Sequence, residues 1–162
     1  MTDDLLLAVR FSAAIGCGLM TGLFFAFSVS VMKALGRIPA AYGLSAMQSI
    51  NIVIVNPVFL VVFLGTAVLS AVVLITSMLR PAEPGATYFI VGGVLYLAGV
   101  ILVTGVCNVP MNNAIAPLEV TAPDSARRWQ DYLTRWTQWN HVRTVAALAA
   151  SVAMTAGLLQ RG

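Results

Sequence analysis

INIVIVNPVFLVVFLGTAVLSAVVLITSML, residues Ile50–Leu79, contains no charged side chain. A helix needs about 20 predominantly apolar residues to cross the hydrocarbon core of a bilayer, and this stretch exceeds that. Its apolar residues run on without alternating with polar ones, the pattern of a helix and not of a half-buried strand. Working outward, three more runs of the same kind appear: Leu5–Leu35, Tyr88–Val106 and Val142–Leu159. In hydrocarbon every backbone N–H and C=O needs an internal partner, which restricts spanning segments to helices and closed barrels. The expectation is an all-α integral membrane four-helix bundle, one membrane domain over residues 1–162, with spans at about 5–35, 50–79, 87–107 and 142–160.

Composition agrees. Of the 162 residues 59% are hydrophobic and 9% charged, against about 25% charged in ordinary soluble domains. The net charge of +3 is small and dispersed, which excludes a nucleic-acid surface and suits contact with anionic lipid. The start, Met1-Thr2-Asp3-Asp4, is acidic and its apolar run is too long for a cleavable signal, so the first helix is expected to remain. Cys17 falls mid-span and Cys107 near a span end, depths that argue against a disulfide between them.

The first helix carries Ala14, Gly18, Gly22, Ala26, Ser30 and Ala34 at every fourth position. Such a stripe is expected to pack closely against another helix, with Leu19, Leu23, Phe24 and Phe27 on the opposite side. Arg37-Ile38-Pro39 ends this helix. A second begins near Tyr42 and meets a kink or short break at Asn56-Pro57, where Asn caps and Pro suits a first turn. Arg80-Pro81-Ala82-Glu83-Pro84-Gly85 is a tight turn, and Asn108-Val109-Pro110 is expected to stop the third helix near Cys107. Asp124 is the expected N-cap of the last helix. Its amphipathic extension, about 124–141, holds Trp129, Tyr132, Trp136, Trp139 and Arg143 at three- and four-residue spacing, one helix face. Three helices (the first, the second and the last) are therefore expected to extend beyond the bilayer on one face and form a vestibule. That face carries Lys33, Arg37, Arg127, Arg128, Arg135 and Arg143; the other carries Arg10, Arg80 and Arg161. The positive-inside rule puts loops 1 and 3 in the cytoplasm of a bacterial inner membrane.

The polar residues between spans cluster at that same face. Gln48, Asn51 and Asn56 lie between the first two runs, and Asn108, Asn112, Asn113, Asn140, His141 and Arg143 flank the last two. No CxxC, HExxH, P-loop or GxGxxG is present, and no carboxylate falls within an apolar run, which argues against a proton-coupled transporter. His141 is the only histidine, so one chain alone offers no two-histidine haem site. It reads as an interfacial side chain, a general base, or a metal or haem ligand. Arg143, where the chain re-enters the membrane, reads as a lipid-phosphate anchor or as the partner of an anionic or enolate oxygen. Uncharged amides hold a polar ligand without the cost of a buried charge, though helix capping explains any one of them alone.

These residues carry a resemblance. Gly22-Leu23-Phe24-Phe25-Ala26-Phe27-Ser28, Ala46-Met47-Gln48-Ser49-Ile50-Asn51 and Asn56-Pro57-x-Phe59 in the first half, with Asn108-Val109-Pro110-Met111-Asn112 and Trp136-Thr137-Gln138-Trp139-Asn140-His141-Val142-Arg143-Thr144 in the second, resemble the anthrone oxygenase-like four-helix membrane proteins (domain of unknown function 1772). The resemblance covers nearly the whole chain. It implies a membrane-embedded oxygenase that oxidises an anthrone-type aromatic with molecular oxygen. Such chemistry needs a flat greasy pocket, a base, and donors for the developing oxyanion; no cofactor is strictly required. On this reading His141 is the base and Arg143 and Asn140 are catalytic donors. Gln48, Asn51, Asn56, Asn108, Asn112, Trp136 and Trp139 line the substrate site, and the expected partners are a hydrophobic small molecule and the bilayer. A homo-oligomer is also expected from the small-residue stripe. Two other classes stand beside this one: a non-enzymatic membrane scaffold or carrier, and a redox protein holding haem or a metal through His141.

Overall fold

The computed structural model describes residues 2–160; Arg161, counted above for orientation, and Met1 lie outside the described residues. Within them the chain is all-helical, with no strand. Helix α1 spans Asp3–Arg37. Thr2 caps it, accepting from the Leu5 N–H, and Asp3 and Asp4 lie in the first turn, where carboxylates complement the helix dipole. Ile38, preceding Pro39, is extended and ends the helix. Helix α2 (Ala40–Val53) follows. Asn56 closes one helix and opens the next. Its Nδ2 donates to Val53 O at 3.0 Å, and its Oδ1 accepts from the Phe59 N–H at 3.0 Å. Pro57 then begins α3 (Pro57–Leu79), so the expected kink is a full break at Ile54–Asn56. Gly85 turns into α4 (Ala86–Ile115) with φ 81°. It also lies against the Gly157 carbonyl, so both conformation and space require glycine there. Helix α5 spans Ser125–Leu159.

Four of these helices, of 35, 23, 30 and 35 residues, are long and apolar enough to cross a membrane. The chain is an integral membrane protein. Helices α1, α3, α4 and α5 form a ring in that order, each packed on the next and α5 on α1, while α2 lies across α5 and the end of α4. At about 1.5 Å per residue, 35 residues rise roughly 50 Å, well beyond a slab of about 30 Å.

Two expectations are corrected. The third helix does not stop near Cys107 but runs to Ile115. Wide π-helical turns at Leu97–Leu102 and Thr104–Asn108 precede Pro110, and the Val109 N–H bonds Thr104 O, five residues back. Pro110 therefore falls where the regular ladder is already interrupted, and its missing N–H costs nothing further. The small-residue stripe of α1 faces outward beyond its first member: Ala14 is buried, but Gly18, Gly22, Ala26, Ser30 and Ala34 are exposed. The buried face is Leu6, Arg10, Ala13, Cys17, Met20, Phe24, Ser28 and Met32. Larger side chains win the interior because the bundle must fill space to near-crystalline density.

The interior has two parts. Along the bundle, Cys17, Met20, Phe24, Val73, Phe89, Tyr96, Val100 and Met154 form an apolar core. In the vestibule Met32, Leu44, Met47, Ile115, Trp129, Tyr132 and Trp136 form a second, aromatic one. Trp129 stacks on Tyr132 at 5.6 Å, and Tyr132 on Trp136 at 6.1 Å. At the far end of the bundle Arg10 is 1% exposed, donates to Glu83 at 2.8 Å and lies over the Phe89 ring. Arg10 and Arg143 are thus both buried, and neither contributes charge to a loop.

Candidate functional site

Between the two cores lies a node of polar contacts that joins α1, α4 and α5. Asn140 is fully buried. Its Nδ2 donates to Phe24 O at 2.7 Å and to Ser28 Oγ at 2.8 Å. Helix α1 widens into a π-helical turn at Phe27–Val31 just beyond this point, and a side chain that inserts into a helix ladder is one cause of such turns. Thr144 donates to Asn140 O at 2.8 Å. Its single hydroxyl proton is then spent, so the 3.0 Å contact with Ser28 has Ser28 as donor.

Asn140 Oδ1 accepts from Arg143 Nη2 at 2.7 Å, and Arg143 Nη1 donates to Thr104 Oγ1 at 3.2 Å. The donor-only guanidinium on one side and the carbonyl of Phe24 on the other fix which way the Asn140 amide points. Arg143 is 6% exposed, with its guanidinium 4.6 Å from the Phe24 ring centre and 5.1 Å from that of Trp136. Among the described residues no carboxylate lies within ion-pair distance of it. Its Nε has no partner, and only two of its five N–H donors are spent. A buried cation without a counter-charge is expensive, and this one lines a pocket.

That pocket has a volume of about 130 Å³. Leu23, Phe24, Phe27, Met47, Ile50 and Phe59 make its apolar walls; Asn51, Thr104, Asn112, Asn140 and Arg143 its polar ones; Trp136 stands among both. Asn112 Oδ1 accepts from Trp136 Nε1 at 2.8 Å and from Tyr132 Oη at 2.9 Å. Because the indole only donates, the atom facing it is the amide oxygen, which leaves the NH2 of Asn112 unspent. Asn51 Nδ2 is buried without a partner. A second groove, of about 300 Å³, shares Asn51, Val55, Val109 and Asn112 with the pocket and adds Gln48, Ile52 and Asn113. Pocket and groove therefore adjoin across these shared residues, between α2 and α4.

The structure brings Asn51, Asn112, Trp136, Asn140 and Arg143 together. Gln48 lies in the adjoining groove, where its Nε2 donates to Ile115 O and Leu118 O, both at 2.9 Å, and ties down the end of α4. Four expected residues stand elsewhere. Asn56 is spent on the two helix ends that it caps. Asn108 is buried behind the wall, its Nδ2 3.4 Å from Trp136 O and its Oδ1 unpartnered. Trp139 is 40% exposed and points outward. The buried stripe of α5 is Trp129, Tyr132, Trp136, Asn140 and Arg143, which keeps to the helical period where Trp139 drifts off it. His141 is exposed on the other side of α5, in a groove with Ser28, Lys33, Thr134 and Gln138. Of the expected aromatic walls of α1, Phe24 and Phe27 are present.

Sequence reading missed Ser28, Thr104, Tyr132 and Thr144. The only available signal for Ser28, Thr104 and Thr144 was that each is a polar residue inside an apolar run, where it needs a partner. No carboxylate, histidine, cysteine or lysine lines the pocket. Among the described residues no group of three or more His, Cys, Asp and Glu side chains comes together as a metal site.

Residues 57–153 of the chain match the family described as Anthrone oxygenase. No curated protein and no solved structure matches the chain.

Proposed function

The chain belongs to the anthrone oxygenase family, and we propose on that premise that it oxidises an anthrone-type aromatic with molecular oxygen at the Arg143 pocket. One observation carries the reading: Arg143 is buried, faces aromatic rings and an apolar pocket, and has no carboxylate partner. Such a site attracts a flat molecule bearing a delocalised negative charge. An anthrone that loses one proton from its CH2 becomes an enolate of that kind, with the charge spread onto the ketone oxygen. Arg143 meets that oxygen, and Asn51 and the NH2 of Asn112 are further donors.

The carbanion carbon then forms a bond to oxygen and, after protonation, carries a hydroperoxide. Cleavage of the O–O bond with loss of the remaining C–H proton gives the second carbonyl and one water. Substrate and O2 thus balance quinone and water. Arg143 and the amides hold charge in place through these steps. Because the pocket offers no titratable base, the first proton leaves to solvent, and the site works by making the enolate more stable. A single ring fills the inner chamber (an engineered cavity of about 150 Å³ holds one benzene), so a tricycle extends into the adjoining groove. The vestibule, with its arginines, faces the cytoplasm on this reading.

The test is oxygen uptake and quinone formation from an anthrone by the purified full chain. Arg143→Ala should lower turnover by about a hundredfold, the scale for losing one preorganised donor to a developing oxyanion. Arg143→Lys keeps the charge but not the planar fork and should recover only part. Undiminished turnover in both would overturn the assignment.

A further inference from the structure

We infer that the same pocket binds the single-ring head of a membrane quinone, with its tail leaving between α2 and α4 into lipid. The inference rests on the pocket being the ligand site but not on the oxygen chemistry. Four observations carry it. The first is size: the inner chamber, about 130 Å³, matches one ring better than three. The second is polarity. The buried wall atoms without a partner, Asn51 Nδ2 and Arg143 Nε, are both donors, and the oxygen of Asn112 already accepts two hydrogen bonds. A ligand that presents acceptors and no donors satisfies them, and the two carbonyls of a benzoquinone are such groups.

The third observation is stacking. Trp136 and the phenylalanines of the wall offer electron-rich faces to an electron-poor ring. The fourth is the way out. The groove adjoining the chamber has, beside its amides, an aliphatic lip of Ile52 (77% exposed), Val55 (62%) and Val109. The lip comes from the last turn of α2 (Ile52), the break that follows it (Val55) and α4 (Val109). Ile54 and Val55, in that break, also line the chamber. An exposed aliphatic lip suits a hydrocarbon tail, whereas a water-soluble ligand would gain nothing from it.

The experiment uses the full chain in lipid nanodiscs, in a Trp139→Phe background to remove the exposed indole. The probe is a 1,4-benzoquinone with a decyl tail, and the readout is quenching of tryptophan fluorescence. Saturable quenching is expected, with no competition from decylbenzene. Asn51→Leu should weaken binding roughly two- to tenfold, the range for one lost hydrogen bond. Ile52→Ser, at a position that lines the groove but not the chamber, should weaken the tailed quinone and spare the tail-less one. Linear quenching, equal competition by decylbenzene, or saturable binding indifferent to both Asn51→Leu and Arg143→Lys would overturn the inference. Anthrone turnover on the same samples separates the two claims. Turnover without saturable quinone binding overturns this one alone, and saturable binding without turnover overturns the oxygenase reading alone.

Discussion

Arg143 Nη2 donates to Asn140 Oδ1 at 2.7 Å, one turn away on the same helix. The other end of that amide is anchored in α1, on Phe24 O. The position of the cation is therefore set by a neighbouring helix through a neutral side chain, and its charge is left for something else. A carboxylate at the same place would hold Arg143 equally well and would consume that charge.

This contrast gives the first prediction. Asn140→Asp is nearly isosteric but supplies the missing counter-ion and sets an oxygen against Phe24 O. Anthrone turnover should fall by about a hundredfold, as when an oxyanion donor is removed. Stability should fall by about 1–3 kcal/mol for the carbonyl left without its donor. Turnover at the level of the parent protein would show that the free charge of Arg143 is not what the site uses.

The second prediction concerns the far end of the bundle. The Arg10 guanidinium, hydrogen-bonded to Glu83 and joined by Arg80, holds the Glu83 carboxyl below its ordinary value of 4.5. A carboxyl depressed in the folded state contributes stability above its unfolded value and loses it as pH falls through the folded one. Thermal stability in detergent should therefore decline below about pH 4.5. Glu83→Gln leaves buried Arg10 without its anion, so it should melt lower at neutral pH and show a flatter acid limb. An acid limb of unchanged slope in that variant would place the titration on other carboxylates.

The architecture was legible because hydrocarbon imposes one rule on every residue of a span: the four runs and the Asn56-Pro57 break follow from length and capping. Orientation around each helix was far less legible. The four-residue stripe of α1 is regular in sequence yet lies outside, because the interior is chosen by volume and by partners such as Phe24 and Ser28 that come from the whole ring. The third helix passes Pro110 because wide turns absorb it, and wide turns leave no mark in composition. In the site, Arg143, Asn140, Asn51, Asn112 and Trp136 were readable as polar or aromatic groups near span ends. Asn56, Asn108, Trp139 and His141 satisfy the same description. Only the rotation of α2, α4 and α5 separates the two sets.

Topology gives a third prediction. The α3–α4 turn sits at the end of the bundle that holds the Arg10–Glu83 pair, and the loop before α5 sits at the vestibule. Ala82→Cys and Thr121→Cys, made at exposed positions in a chain with Cys17 and Cys107 replaced, should react with a membrane-impermeant thiol reagent from opposite sides. Labelling from the same side would be incompatible with four spans. If the vestibule is cytoplasmic, Ala82→Cys is the one labelled in intact cells.

The last prediction sets His141 against Arg143. The sequence makes His141 the natural base, being the only histidine and two residues from Arg143. Two residues on a helix are about 200° apart, however, and here Arg143 faces the pocket while His141 faces the groove on the opposite flank. No path in the pocket wall leads a proton from a bound ring to the imidazole, since Asn140 lies between and its amide is committed to Phe24, Ser28 and Arg143. Turnover should therefore rise with pH as hydroxide becomes available to form the enolate, without an inflection that depends on His141. His141→Ala should follow the same curve as the parent at every pH, while Arg143→Ala should be depressed throughout. The measurement is the pH dependence of kcat/KM for an anthrone with the three proteins side by side. A neutral-pH inflection that vanishes in His141→Ala would restore the histidine as base and would require α5 to rotate during catalysis.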